Sequence, residues 1–318
     1  MKKLLSIAIA LCLVLALSAC ALAEDKTYNV GILQQLQHPA LDLATQGFKD
    51  ALVAKLGDKV VIDEQNGSND QNACAIIAGN FAAANVDLIM ANATTALQEA
   101  ANATINNPIP VLGTSITNYA TALELEVNPD GSTGINVSGT SDLAPLDGQA
   151  NMIKELFPDA KTVGLLYCSA EPNSVFQADA VDAYLKELGY ETTRYTFTDT
   201  NDLTSVAQLA TVSDVIYIPT DNTAANNTEA IANVVLPAKV PVVAGEEGIC
   251  SGCGVATLTI SYYDIGYETG LMAYEILVEG ADVAAMPVRY APQFTKKYNA
   301  ANAAELGVEI PADYAPIE

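Results

Sequence analysis

One histidine is all the imidazole chemistry open to this chain of 318 residues. His38 stands in "VGILQQLQHPALD", where an apolar run suited to a strand gives way to Pro39, a residue favoured in the first turn of a helix. A nucleophilic Ser or Cys needs a base within reach, and His38 is the single histidine that could serve. The sequence has no Gly-x-Ser-x-Gly elbow, no Gly-x-x-x-x-Gly-Lys phosphate loop, no His-Glu-x-x-His pair and no Gly-rich dinucleotide fingerprint after the first strand. Glu246 and Glu247 are paired carboxylates, but sequence neighbours seldom face one another across a substrate. Cys250 and Cys253, in "CSGC", could be a redox pair, half of a zinc site, a local disulfide or two free thiols. Zinc needs about four ligands, and no second close cysteine pair is present. Cys74 and Cys168 sit among apolar residues and read as buried small hydrophobes. The expectation is therefore binding without catalysis, cofactor or metal, with His38 lining a cleft, bonding within the loop before Pro39, or packing.

The elements that must position these residues alternate regularly. Candidate strands "YNVGILQ", "KVVIDEQ", "VDLIMANA" and "IPVLGTS" are separated by helices beginning near Pro39, Asp70 and Thr95. A polar passage, "EVNPDGSTGINVSGTSD", then carries too many turn formers for a packed helix. Alternation resumes with strands "TVGLLYC", "YETTRYTF", "DVIYIPT" and "VPVVAG" between helical patterns. Each half is a βαβ series, so the fold class is α/β: two Rossmann-like lobes with parallel sheets covered by helices, joined by a multi-strand hinge. After the strand-like "GVATLTIS", the amphipathic "YYDIGYETGLMAYEILVEG" is expected to pack on the first lobe and "MPVRYAP" to join the second. The first lobe is then 28–140 plus 262–285, and the second 141–261 plus 286–318.

In open parallel sheets the ligand site lies beyond the carboxyl ends of the strands. In the first lobe those ends carry Gln34, Gln35, Leu36 and His38, then Asn92, Thr94 and Thr95, then Thr114, Ser115, Thr117 and Asn118. In the second they carry Tyr167, Glu171, Asn173 and Ser174, then Thr220, Asp221 and Asn222, then Gly245, Glu246 and Glu247. Hydroxyls, amides and free N–H groups at helix starts suit an anionic head group, whereas carboxylates suit an ammonium. A small zwitterion, an amino acid, satisfies both sides. Each of Thr94, Thr95, Asp221 and Asn222 is also a residue type that caps helices.

The first twenty residues, "MKKLLSIAIALCLVLALSAC", read as a secretion signal over 1–19, followed by a tether over 20–27. Small residues before Cys20 resemble a bacterial lipobox, in which Cys20 is lipidated; the alternative is cleavage after Ala21 or Ala23 without lipid. The formal charge is −24, and about −26 once Lys2 and Lys3 leave with the signal. Nothing here could replace phosphate counterions, so nucleic acid is excluded as a partner. No other segment is long and apolar enough for a membrane span.

"QLQHPALD", "GSNDQNACAIIAGNF", "DLIMANATTALQ", "NVSGTSDLAP", "YCSAEPNS", "PTDN" and "YYDIGYETGLMAYEIL" occur in this order over almost the whole mature chain. Together they resemble the tryptophan/tyrosine-type substrate-binding lipoproteins of ABC importers. The resemblance implies a periplasmic-binding-protein type I fold that closes by hinge motion, an aromatic amino acid as ligand, no catalysis, and delivery to a membrane permease. It also implies an extracytoplasmic monomer anchored to the cell membrane through Cys20. Carried onto matching positions, Gln35 and His38 would lie in the cleft wall, Thr94, Thr95, Ser115 and Thr117 near the ligand carboxylate, and Glu171, Asp221 and Asn222 near its amine. With no Trp in the chain, Tyr119 and Tyr167 are the candidate stacking partners. "GEEGICSGC" is not part of the family pattern. The alternatives are a binding lipoprotein for a nucleoside or sugar, and a surface sensor or adhesin on the same fold.

Overall fold

A computed structural model describes residues 26–317, and the signal and Cys20 expectations lie outside them. The first sheet is built from β1 (Tyr28–Gln34), β2 (Val60–Asn66), β3 (Leu88–Asn92), β4 (Val111–Ile116) and β5 (Val137–Ser141), interleaved with α1 (Pro39–Leu56), α2 (Gln71–Ala84), α3 (Thr94–Ala103) and the short α4 (Tyr119–Leu123). The second is built from β6 (Thr162–Cys168), β7 (Glu191–Phe197), β8 (Val215–Ile218), β9 (Val242–Ala244) and β10 (Ala256–Thr259), with α5 (Leu146–Leu156), α6 (Pro172–Glu187), α7 (Thr200–Ala210), α8 (Asn222–Ala225), α9 (Thr228–Val235) and α10 (Glu247–Cys253). The chain ends with α11 (Tyr262–Leu277), β11 (Arg289–Tyr290), β12 (Thr295–Tyr298), α12 (Ala300–Leu306) and β13 (Ala315–Pro316). Strand order is β11-β5-β4-β3-β1-β2 in one sheet and β13-β12-β10-β9-β8-β6-β7 in the other. Within both sheets the pairing is parallel, apart from antiparallel β10 and β12.

Burial follows position in the sheet. The central β3 and β4 are buried at every residue, as strands covered on both faces must be, while the edge strands β2 and β7 are mostly exposed. The polar passage after β4 contains a strand that its composition hides. Gly113 of β4 and Gly139 of β5 are register partners, and a Cβ on Gly139, at φ 140°, would lie 2.0 Å from the Gly113 carbonyl oxygen. Glycine here permits close strand contact, not a turn. Just beyond, the β4–β5 register shifts between Gly113 and Ile116, and Ser115 takes a left-handed conformation, φ 57°.

The chain crosses between lobes after β5, after β10 and after β11. The last crossing corrects the expected boundaries: β11, within "MPVRYAP", pairs with β5 in the first sheet, and it is β12 that joins the second. The second crossing delivers α11 against α1. Gly47 and Gly266 permit near backbone-to-backbone contact, since a Cβ on Gly266 would fall 2.0 Å from the Ala44 carbonyl oxygen and one on Gly47 2.1 Å from that of Tyr263. Phe48, Leu52, Met272 and Ala273 then close over Val30, Ile32, Leu88 and Met90 as one core. Gly266→Val is expected to push these helices apart, cost about 1–3 kcal/mol as overpacking does, and lower the thermal unfolding midpoint by several degrees. A midpoint equal to wild type would contradict this reading of the contact.

Candidate ligand-binding site

Facing ends of the two sheets enclose a narrow polar cavity with a free volume of about 10 Å³, lined by His38, Leu41, Ser115, Thr117, Asp142, Asn173, Thr220, Asp221, Asn222, Ala225, Glu246 and Tyr262. His38 follows β1, Ser115 and Thr117 come from the end of β4, and Asp142 follows β5. Asn173 opens α6, while Asp221 and Glu246 follow β8 and β9 as the N-caps of α8 and α10. Tyr262 is the first residue of α11, at the second crossing. Lobe-to-lobe hydrogen bonds frame the cavity. His38 Nε2 is 3.2 Å from Asn222 Oδ1, and Gln177 Nε2 donates to Thr117 Oγ1 at 3.3 Å. Asn69 Nδ2 donates to Thr223 Oγ1 at 3.2 Å a little further out.

Buried polar atoms normally have partners. Among the described residues six buried side-chain polar atoms have none, and four of them, His38 Nδ1, Ser115 Oγ, Asp142 Oδ1 and Asn173 Oδ1, belong to the lining of this cavity. Three of the four can only accept a hydrogen bond or bind a cation. His38 Nδ1 is an acceptor because Asn222 Nδ2 donates to Glu171 at 2.9 Å, turning Asn222 Oδ1 toward His38 and calling for the proton on Nε2. Burial lowers the His38 pKa, against the bond to Asn222 and the nearby carboxylates, and favours the neutral ring.

The acidic groups divide by what their oxygens already bind. Asp221 accepts from Cys168 N at 2.7 Å and Ala224 N at 2.8 Å, and Glu246 from the N–H groups of Gly248 and Ile249. Both are committed to backbone. Asp142 differs: Tyr262 Oη donates to Oδ2 at 3.0 Å, and Oδ1 is open. Burial raises Asp142 to about 6, Glu246 to about 7 and, together with the charge of Glu171, Asp221 to about 8. No Lys or Arg is among the lining residues.

The residues expected from sequence separate into three groups. His38, Ser115, Thr117, Asn173, Asp221, Asn222 and Glu246 meet at the cavity. Gln35, Thr95 and Glu171 line a neighbouring groove between the lobes, outside the Asn69–Thr223 bond. The remainder serve the framework. Thr94 is buried in the first turn of α3, Asn118 caps α4 through Thr121 N at 2.8 Å, and Ser174 is buried beside Asn173 and Thr220. Neither candidate stacking tyrosine reaches the cavity. Tyr119 Oη donates to Gly113 O at 3.0 Å and pins the β4 irregularity, and Tyr167 packs in the core of the second lobe. The aromatic ring at the cavity is Tyr262, which sequence reading passed over together with Asp142. Cys250 and Cys253 are free, buried thiols on α10, not a disulfide in a loop. Cys253 Sγ bonds to Ile249 O at 3.4 Å, and both side chains fill the second lobe's core.

Two parallel-sheet lobes, three crossings and a small polar cavity at the facing strand ends define a solute-binding protein of the periplasmic type I fold. The family of ABC transporter substrate binding proteins matches residues 29–314, and the chain belongs to that family. A tyrosine-binding protein of Clostridioides difficile (strain R20291) is 36% identical over 270 residues, which is 83% of this chain and 76% of the relative. The structure of an ABC domain in complex with L-Trp from Streptococcus pneumoniae is 31% identical with a TM-score of 0.86, over 92% of this chain and 100% of that one. A ligand-free, open substrate binding protein with adhesive properties from Clostridium difficile is 33% identical with a TM-score of 0.71, over 92% and 99%. At near-equal identity the shape similarity is greater to the L-Trp complex than to the ligand-free, open structure.

A carboxylate raised by burial from 3.8 to about 6 costs stability when charged. Because the folded pKa lies above the unfolded one, the penalty is full above about pH 6, shrinks as the pH falls, and is gone below about pH 4. In the ligand-free protein Asp142→Asn is therefore expected to raise stability at pH 8 by about 3 kcal/mol, with no gain left at pH 4. Thermal unfolding of both proteins across that range measures it, and a gain that does not depend on pH would contradict the assignment.

Proposed function

We propose that this protein captures an aromatic amino acid as its zwitterion in the inter-lobe cavity and hands it to a membrane permease. The observation that carries this reading is the set of unpartnered buried atoms on one small cavity. Asp142 Oδ1 and Asn173 Oδ1 are acceptors for an ammonium. Beside Asp142, at the end of the neighbouring strand, Ser115 Oγ, on a left-handed backbone, and Thr117 offer hydroxyls to a carboxylate. Leu41, Ala225 and Tyr262 supply the apolar surface for a side chain. The aromatic class is supported by the relatives' tyrosine and L-Trp.

The same reading places the protein outside the cytoplasm, held to the membrane by a lipid on Cys20 and working as a monomer. Among the described residues no helix is long and apolar enough to cross a membrane. A second role in surface adhesion is favoured by the adhesive properties of the Clostridium difficile relative. A sugar or nucleoside would meet the open Asp142 oxygen with a neutral donor, and it is the relatives' tyrosine and L-Trp that favour the amino acid.

A thermal-shift screen of the twenty amino acids tests the ligand class. A ligand at a hundred times its dissociation constant stabilises by about 2.7 kcal/mol, so Tyr, Trp or Phe should give the largest shifts. Asp142→Asn should then weaken binding by about 1.5–3 kcal/mol, roughly ten- to over a hundredfold by calorimetry. No shift with any of the three, or full affinity in Asp142→Asn, would overturn the reading.

A further inference from the structure

Glu171 looks from sequence like the partner of a ligand ammonium, but its oxygens are already taken. Oε2 accepts from Asn222 N and Nδ2, both at 2.9 Å, and from Asn173 Nδ2 at 3.3 Å. Oε1 accepts from Thr223 N at 2.8 Å and Thr223 Oγ1 at 2.7 Å. A carboxylate accepts only, so it decides which way its neighbours face. Asn222 must turn its NH₂ inward, which presents Oδ1 to the first lobe and His38 Nε2. Thr223 must spend its one hydroxyl hydrogen on Glu171, which leaves its lone pairs for Asn69 Nδ2.

The first-lobe side is ordered just as strictly. Thr95 N, a backbone donor, bonds to Gln35 Oε1 at 2.9 Å, so Gln35 Nε2 faces outward and donates to Asn69 Oδ1 at 3.0 Å. That leaves Asn69 Nδ2 for Thr223. Two relays thus cross the cleft in one donor direction, Thr95–Gln35–Asn69–Thr223 and His38–Asn222, and both end on Glu171. They stand between the cavity and the outer groove.

Resting on the reading of the cavity as a ligand site that closes, we propose that Glu171 is a positioning residue: without touching the ligand, it sets the polarity of both inter-lobe relays and so holds the closed form shut. Gln35 and Thr95 belong to the same lock, not to the ligand. A lock formed on closure acts on escape and not on encounter, so its loss appears in the dissociation rate.

Glu171→Gln sets an N–H where an acceptor is required, and Asn69→Gly cuts one relay from outside while tolerating that position's left-handed backbone, φ 59°. Stopped-flow kinetics with the tightest amino acid from the screen should show dissociation at least tenfold faster in each variant, with association changed less than threefold. Long-range proton–nitrogen spectra of His38, the only histidine, should show an Nε2–H tautomer in the liganded wild type and a loss of that single tautomer in Glu171→Gln. If Glu171→Gln does not fold, Asn69→Gly alone decides by its rates. Unchanged dissociation, or a loss carried by slower association, overturns the proposal while leaving the ligand class intact. If no amino acid binds the wild-type protein, the ligand class falls; the lock is then judged on the His38 signals alone, which must differ between wild type and Glu171→Gln.

Discussion

A buried carboxylate oxygen with nothing to bind is the constraint around which this molecule is arranged. Asp142 Oδ1 sits in a closed cavity without a hydrogen-bond partner and without a Lys or Arg in the lining. Leaving such a group unpaired costs the folded protein free energy. A hydrogen-bond donor or a cation reaching Oδ1 would relieve that cost, and a ligand ammonium is both. The hydroxyls of Ser115 and Thr117 at the end of the neighbouring strand can donate to an anionic group of the same guest. The polarity of the site is thus fixed by what the chain withholds from it, since its basic residues pair elsewhere, as Arg289 does with Glu268 and Glu275 and Lys296 with Glu155 and Asp313.

The framework is rigid where the site needs it to be. Asp142 and Ser115 lie on neighbouring strands whose approach depends on facing glycines and on the Tyr119 hydroxyl bonding to the Gly113 carbonyl. The left-handed Ser115 is a local cost that aims one hydroxyl into the cavity. Tyr262, which holds the other Asp142 oxygen, starts the helix that packs backbone to backbone on α1, and α1 begins just after His38. The α1–α11 pair therefore ties two walls of the cavity to one core. Across the polar seam the lobes are joined by the His38–Asn222, Gln177–Thr117 and Asn69–Thr223 hydrogen bonds.

Much of this was legible in the sequence. Alternating strand and helix patterns give two parallel sheets, and the strand-end rule reaches His38, Ser115, Thr117, Asn173, Asp221, Asn222 and Glu246. Asp142 escaped because its strand hides in a Gly-rich passage whose glycines serve close pairing and not turns. Tyr262 escaped because a lobe crossing, not a strand end, brings it to the cavity. Gln35, Thr95 and Glu171 have the right chemistry for a ligand, yet their hydrogen-bonding capacity is consumed within the protein, which only the three-dimensional partner list reveals. The pairing of "MPVRYAP" with the first sheet is not legible, because a two-residue ladder leaves almost no periodic signal.

The most direct measurement compares L-tyrosine with its decarboxylated amine and its deaminated acid by titration calorimetry on the wild-type protein. Each analogue keeps the ring and removes one charge. If the guest must answer both the Asp142 carboxylate and the Ser115 and Thr117 hydroxyls, each should bind at least a hundredfold more weakly than the amino acid. Should either analogue bind within tenfold of L-tyrosine, the paired-charge account of this site would be wrong.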